Sequence, residues 1–185
     1  MIQSYFTAIV LIAASAVFVA AQGRSNAELE SQLRRLKAEK TISLSFDKNS
    51  NVSKIMAVAE NFSSQDAKHL EADAMNFAVG FMYSGEKLVK PPESVILTFW
   101  IMTAKPKFAV TSDLVIDGIK LGSARYVYRK RDKMEYLNYE VPFADLKMIA
   151  AGEGRIELNG YRLTFTPAQL STLRNLVELS DAASR

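Results

Sequence analysis

"RIELNGYRLTF", residues 155–165, reads as a strand, a two-residue turn and a second strand. Asn159-Gly160 suits a type I′ turn, in which both central residues need φ > 0. That turn sets the register. Leu158 then faces Tyr161 and Ile156 faces Leu163 on one side, while Glu157 faces Arg162 on the other. An apolar side and an opposite-charge pair agree on a single pairing. "LVIDGIKL", 114–121, repeats the device with Asp117-Gly118, pairing Ile116 with Ile119 and Leu114 with Leu121. Two such hairpins predict an antiparallel sheet.

Upstream, "TISLSF", 41–46, puts Ile42, Leu44 and Phe46 on one face and Thr41, Ser43 and Ser45 on the other, the period of a half-buried strand. "DKNSN" turns the chain, and "KIMAVAENF" is the next strand. In "LEADAMNFAVGFMYSG" the alternation of Met75, Phe77, Val79, Phe81 and Tyr83 predicts a long strand, with a helical turn open as a start within "AKHLEADAM". "KPPES" is a loop, because consecutive prolines break either regular structure. "VILTFWIMT", 95–103, is almost wholly apolar and short for a helix, so it predicts a central strand covered on both faces.

Downstream, "PFADLKMIAAGEG" places Phe143, Leu146 and Ile149 on one helical face, with Gly152 positioned to end the helix. In "TPAQLSTLRNLVELS" Thr166 is an N-cap, Pro167 stands at N1 and Gln169 at N3, a capping box. Leu170, Leu173, Leu176 and Val177 make the stripe that packs this C-terminal helix on the sheet. The sum is seven to nine strands with two late helices and no alternation of strand with long helix, which argues against a parallel α/β fold. The expected architecture is mainly β (α+β): an antiparallel β-sandwich or partly open barrel, with a short helix and a C-terminal helix packed on the sheet.

Residues 7–21, "TAIVLIAASAVFVAA", carry no charge, and Val19 and Ala21 stand at the small-residue positions of a cleavage site before Gln22. This is the pattern of a secretory signal peptide over residues 1–21. Against it, "MIQSYF" lacks a basic residue. The alternative is an uncleaved signal anchor over residues 1–23, a run just long enough to span a bilayer. Residues 22–40 follow as a linker with a short amphipathic helix striped by Leu29, Leu33 and Leu36. Residues 41–181 form the β-domain, and 182–185 are a tail. The expected location is secreted or periplasmic, or membrane-anchored through residues 1–23. Export makes the sequons at Asn51 and Asn61 readable as glycosylation acceptors.

Composition narrows the chemistry. Among 185 residues, 49% are hydrophobic, enough for a sizeable core. A net charge of +3 and a pI near 9.0 fall short of a dedicated nucleic-acid binder. Cysteine is absent and histidine occurs once, at His69, so disulfides and thiolate sites are excluded and a zinc site would need carboxylates for nearly every ligand. His69, with Glu71 and Asp73 after it, has no activated-serine signature to serve and reads as a surface histidine at a strand start. The oxygen side chains of Asp47, Asn49, Asn51 and Ser53 begin a calcium-loop pattern. Val52 replaces the glycine at its sixth position and Val58 the glutamate at its twelfth, so the stretch reads as a polar turn. Asp113, Asp117, Glu135, Glu140 and Glu157 are scattered carboxylates from which a hydrolase would have to draw its acid pair. No phosphate-binding glycine motif is present, and no cofactor is expected.

The stretch "RYVYRKRDKMEYLNYE", 125–140, concentrates basic and tyrosine side chains. Its plain reading is a hairpin around "RKRDK", with one buried and one wet face. Its functional reading is a binding surface made of Arg125, Arg129, Lys130, Arg131, Lys133, Tyr126 and Tyr128. The export signal disfavours nucleic acid as its ligand. An anionic lipid or polysaccharide surface fits the compartment better, with membrane contact only if residues 1–23 stay as an anchor.

Met75, Met82, Met102 and Trp100 read as core, or as the adaptable lining of an apolar cavity. Three functions follow in order: an exported non-enzymatic β-domain that binds or assembles with a protein or envelope component; a carrier of a small apolar ligand; and an exported hydrolase using a carboxylate pair.

Overall fold

The computed structural model describes residues 31, 34, 42–59, 61–70, 72, 74–103, 105–108 and 113–182. The segment expected to carry the export signal lies outside them. Of the expected linker helix only Ser31 and Arg34 are described, both helical and exposed.

The strands are β1 (Ile42–Asp47), β2 (Val52–Val58), β3 (Ala74–Ser84), β4 (Ser94–Met102), β5 (Leu114–Ile116), β6 (Ile119–Leu121), β7 (Arg125–Arg129), β8 (Met134–Pro142), β9 (Arg155–Leu158) and β10 (Tyr161–Thr164). The helices are α1 (Ser64–His69), α2 (Phe143–Ala151) and α3 (Pro167–Ala182). Every strand pairing is antiparallel. Six strands form one sheet in the order β1-β2-β3-β4-β8-β7, and four form a second in the order β10-β9-β5-β6. The result is a sandwich-like α+β fold, with the C-terminal helix on the sheet as expected. The ten strands exceed the expected seven to nine.

Both hairpins have the anticipated register, Glu157 opposite Arg162 included. Asp117 and Asn159 each hold φ 49°, followed by Gly118 and Gly160 at 84° and 83°. The C-terminal capping box is reciprocal. The Gln169 amide donates to Thr166 Oγ1 at 3.2 Å, and the Thr166 amide donates to Gln169 Oε1 at 2.8 Å. His69 differs from expectation: it closes α1, and β3 begins five residues later at Ala74. Ser63 caps α1, its hydroxyl oxygen accepting the Asp66 N–H, and a capped turn takes precedence over a strand start there.

The layers meet on the inner face of the large sheet. Ile55, Met75, Phe77, Leu97, Phe99, Leu137 and Tyr139 point there and are buried. The small sheet supplies Leu114, Ile116, Ile156 and Leu158, and the helices supply Leu146, Ile149, Leu173 and Leu176. α2 lies against β4 and β8, and α3 against β2. Phe165, just after β10, sits among Phe62, Phe77 and Phe99 with ring centroids 4.8 to 6.4 Å away.

Two glycine-dependent features hold the small sheet in place. The Asp117 carboxylate accepts the N–H groups of Gly154 at 2.8 Å and Arg155 at 3.0 Å, joining the first hairpin to the start of β9. Gly154 has φ 76°, and a Cβ there would stand 2.9 Å from the Phe165 Cβ. We expect Gly154→Ala to cost at least about 2 kcal/mol through a left-handed backbone and overpacking. Phe165→Ala should cost about 3–5 kcal/mol through its cavity. Chemical denaturation checks both; a change below about 1 kcal/mol in either would contradict this account of the junction.

Candidate functional site

Among the described residues, the strand read as covered on both faces has a layer on one of them. Along β4 the exposure alternates: Val95, Leu97, Phe99 and Ile101 are buried, whereas Ile96 is 41% and Met102 44% exposed. The small sheet and the helices occupy only the inner face, and no described residue forms a layer over the outer one. The signal was in the sequence, since an antiparallel strand apolar on both faces requires a cover on each. What the sequence left open was whether the chain itself supplies the second.

The outer face carries rows set by the register. One row runs Met56, Gly80, Ile96 and Glu140; the next runs Val58, Ala78, Thr98, Asn138 and Arg125. A third holds Asn76, Trp100, Tyr136 and Val127, and a fourth Ala74, Met102, Met134 and Arg129. Among the described residues, the large exposed apolar side chains are Val58, Met82, Val89, Ile96, Met102, Val127 and Met148, and all but Val89 and Met148 lie on this face. Scattered exposed apolar residues need no explanation, but a contiguous set on one face marks an interaction surface.

The face has relief. Gly80 and Ala78 floor an open trough of about 260 Å³, walled by Met56, Met82 and Ile96. Gly80 is needed for the approach of β2 to β3, because a Cβ there would fall 2.5 Å from the Ile55 carbonyl oxygen. Beside the trough, Thr98 donates to the Asn138 side-chain oxygen at 2.8 Å, satisfying two polar groups inside the apolar field.

The residues singled out in the basic hairpin divide between the two faces. Arg125 and Arg129 are exposed and belong to the outer face, where the Arg129 guanidinium lies 5.3 Å from the Tyr136 ring centroid. Lys130, Arg131 and Lys133 are exposed in the turn, Lys133 at φ 54°. Tyr126 and Tyr128 are half-buried on the inner side. The aromatic rings that share a face with the arginines are therefore Tyr136 and Trp100, placed by the strand period.

Glu135, on β8 near that turn, is fully buried on the inner side. Its carboxylate accepts the backbone N–H groups of Lys107 at 2.6 Å and Phe108 at 2.9 Å, and the Tyr126 hydroxyl at 3.2 Å. It ties the loop after β4 to the basic hairpin. Burial, and then the Glu135 charge and the hydrogen bond to it, push the Tyr126 hydroxyl up to about 12.

Two of the other carboxylates of interest, Asp117 and Glu140, accept hydrogen bonds. Asp117 binds two backbone N–H groups, Glu140 accepts the Ser94 hydroxyl at 2.8 Å, and Glu157 stands across from Arg162. Asp47 accepts the Ser50 hydroxyl and the Asn49 N–H within its turn, and those bonds lower its pKa. Among the described residues no three His, Asp or Glu side chains converge as a metal site. Asn51 and Asn61 are both exposed. Of the methionines and tryptophan weighed as a cavity lining, Met75 is in the core, whereas Met82, Met102 and Trp100 stand on the outer face.

No family model, curated protein or solved structure matches this chain. Among the described residues no helix is long and apolar enough to cross a membrane; the apolar run at 7–21 lies outside them.

Glu135→Ala should cost about 2–4 kcal/mol, since two N–H groups and a hydroxyl lose a charged acceptor. Tyr126 adds a pH dependence. Its folded-state value is raised from 10.0, so its contribution is complete below pH 10 and is lost as pH rises from there through about 12. In Tyr126→Phe this loss should be absent. Urea titrations between pH 8 and 12 check it, and an identical alkaline slope in both proteins would count against the assignment.

Proposed function

We propose that this protein is an exported, non-enzymatic β-domain that works as a binding or assembly module. Its outer sheet face is the contact surface. The observation that carries the reading is that face: among the described residues it holds Val58, Met82, Ile96, Met102 and Val127 exposed, with a trough, a tryptophan and a tyrosine, on a sheet whose inner side is already covered. Water-exposed apolar area of this extent is unfavourable for an isolated domain and is relieved on association. The hydrogen bonds that Glu135, Asp117 and Glu140 accept support a structural rather than a catalytic use of these carboxylates. Export rests on the apolar run at 7–21 and the small residues before Gln22.

A photo-reactive amino acid placed at Met102 in expressing cells tests the contact surface. The expected result is a discrete adduct through position 102 and none through position 148, an exposed site on α2. Equal yields at both, or turnover of esters, glycosides or peptides by the purified protein, would overturn the proposal. Mass spectrometry of fractionated cells checks export: a soluble species starting at or near Gln22 is expected.

A further inference from the structure

The loop after β4 and the turn of the basic hairpin meet at one end of the large sheet. Thr103, buried, donates its N–H to the Lys133 carbonyl at 2.9 Å and its hydroxyl to the Lys105 carbonyl at 2.8 Å. At the far side of the loop the Glu135 carboxylate holds the Lys107 and Phe108 N–H groups. A loop pinned at both ends therefore carries Lys105 next to the turn that holds Lys130, Arg131 and Lys133, with Arg129 closing β7. All five of these basic side chains are exposed. With Asp132, the acid among them, they make a local charge of +4 against +3 for the whole chain, so everything else sums to −1. The ion pairs between described residues, Lys90 with Glu93, Lys147 with Asp181, and Arg155 with Asp117 and Glu153, lie elsewhere. Like charges gathered without counter-charges repel one another, and an anionic partner relieves that repulsion.

We infer that this end of the sheet docks on an anionic lipid surface, through the folded domain itself. The charges are gathered on two adjacent connections at the end of a sheet, whereas a chain polymer is tracked by a stripe or a groove. Apolar side chains adjoin them. Met102, 44% exposed, and half-buried Met134 form the end row of the sheet with Arg129. Such side chains enter the headgroup layer once charge has brought it near. β1 runs in the direction of β8, away from this end, so the chain preceding Ile42 joins the sheet from the same end. The apolar run at 7–21 lies upstream of that entry. The end is divided in charge. Residues 59–73, which join β2 to β3 there, carry Glu60, Asp66, Glu71 and Asp73 against Lys68. The domain therefore meets an anionic plane tilted, with the β7–β8 hairpin leading. Contact of this kind does not require residues 1–23 as an anchor. It uses a surface separate from the outer sheet face and is independent of the reading proposed for that face.

The test uses the protein in the form in which it accumulates, mixed with vesicles of phosphatidylcholine alone or of equal parts phosphatidylcholine and phosphatidylglycerol. Co-sedimentation should show partition onto the anionic vesicles at least about 100-fold above the zwitterionic ones in about 0.1 M salt, falling at least about 10-fold in about 0.5 M. Lys130→Glu with Arg131→Glu should weaken it at least about 25-fold, since each basic side chain near such a surface contributes about five-fold. Lys48 and Lys87 are exposed at the opposite end of the large sheet. Lys48→Glu with Lys87→Glu changes the net charge equally and should leave partition within about two-fold, because that end lies beyond the screening length. The chain has no cysteine, so an environment-sensitive dye on the thiol of Asp132→Cys reports on one site. Its emission should shift with the anionic vesicles only, a signal that an inserted N-terminal segment does not produce. Equal partition with a silent dye overturns the inference, as does an equal loss from the two pairs of reversals. So does retention on an immobilised uronate polysaccharide without vesicle binding, which would make the partner a sugar chain.

Discussion

Phe165 stands against Phe62, Phe77 and Phe99 on the inner face of the six-stranded sheet, and the arrangement of the layers follows from that contact. The ring comes from the end of β10, so its insertion pins the small sheet over the middle of the large one. Gly154 makes room for it, and the Phe165 N–H donates to the Gly154 carbonyl at 2.9 Å. One residue later the Thr166 cap starts α3, whose leucines finish the cover. Small sheet, helix α2 and helix α3 are therefore all committed to one side.

That commitment has a consequence for the other side. A six-stranded antiparallel sheet has two faces, and the described residues fold one second layer. β4 is nonetheless apolar on both faces, with Ile96, Trp100 and Met102 alternating with Leu97, Phe99 and Ile101. The inner set is satisfied by packing within the chain. No described residue packs over the outer set. The basic hairpin belongs to this picture as a rim: Arg129 lies over Tyr136 at the edge of the field, and Glu135 holds the neighbouring loop in place from the buried side.

Much of the fold was legible because the signals were local. Asp117-Gly118 and Asn159-Gly160 name their turns, and a turn of known type dictates the register of its strands. The capping box at Thr166 and the leucine stripe after it name a helix and its buried side. The candidate site was legible in part. The period of two placed Arg125 and Arg129 opposite Tyr126 and Tyr128, but it could not say which face meets water, since both carry polar atoms. Trp100 and Tyr136, the rings on the arginine face, come from β4 and β8, and their meeting depends on a pairing between strands far apart in the chain. Glu135 was one acid among many until the loop at 107–108 was folded onto it.

The sequence by itself determined the strands, the two tight hairpins, their registers, the capped C-terminal helix and the absence of thiol chemistry, because each follows from neighbours a few residues apart. Only the tertiary structure decided that β5 and β6 pair with β9 in a second sheet, that β8 returns beside β4, and which face of the large sheet the described layers cover. These are outcomes of long-range packing. Alternation along a strand says that two faces differ, and competition among all the layers for the available apolar surface decides which of them is covered.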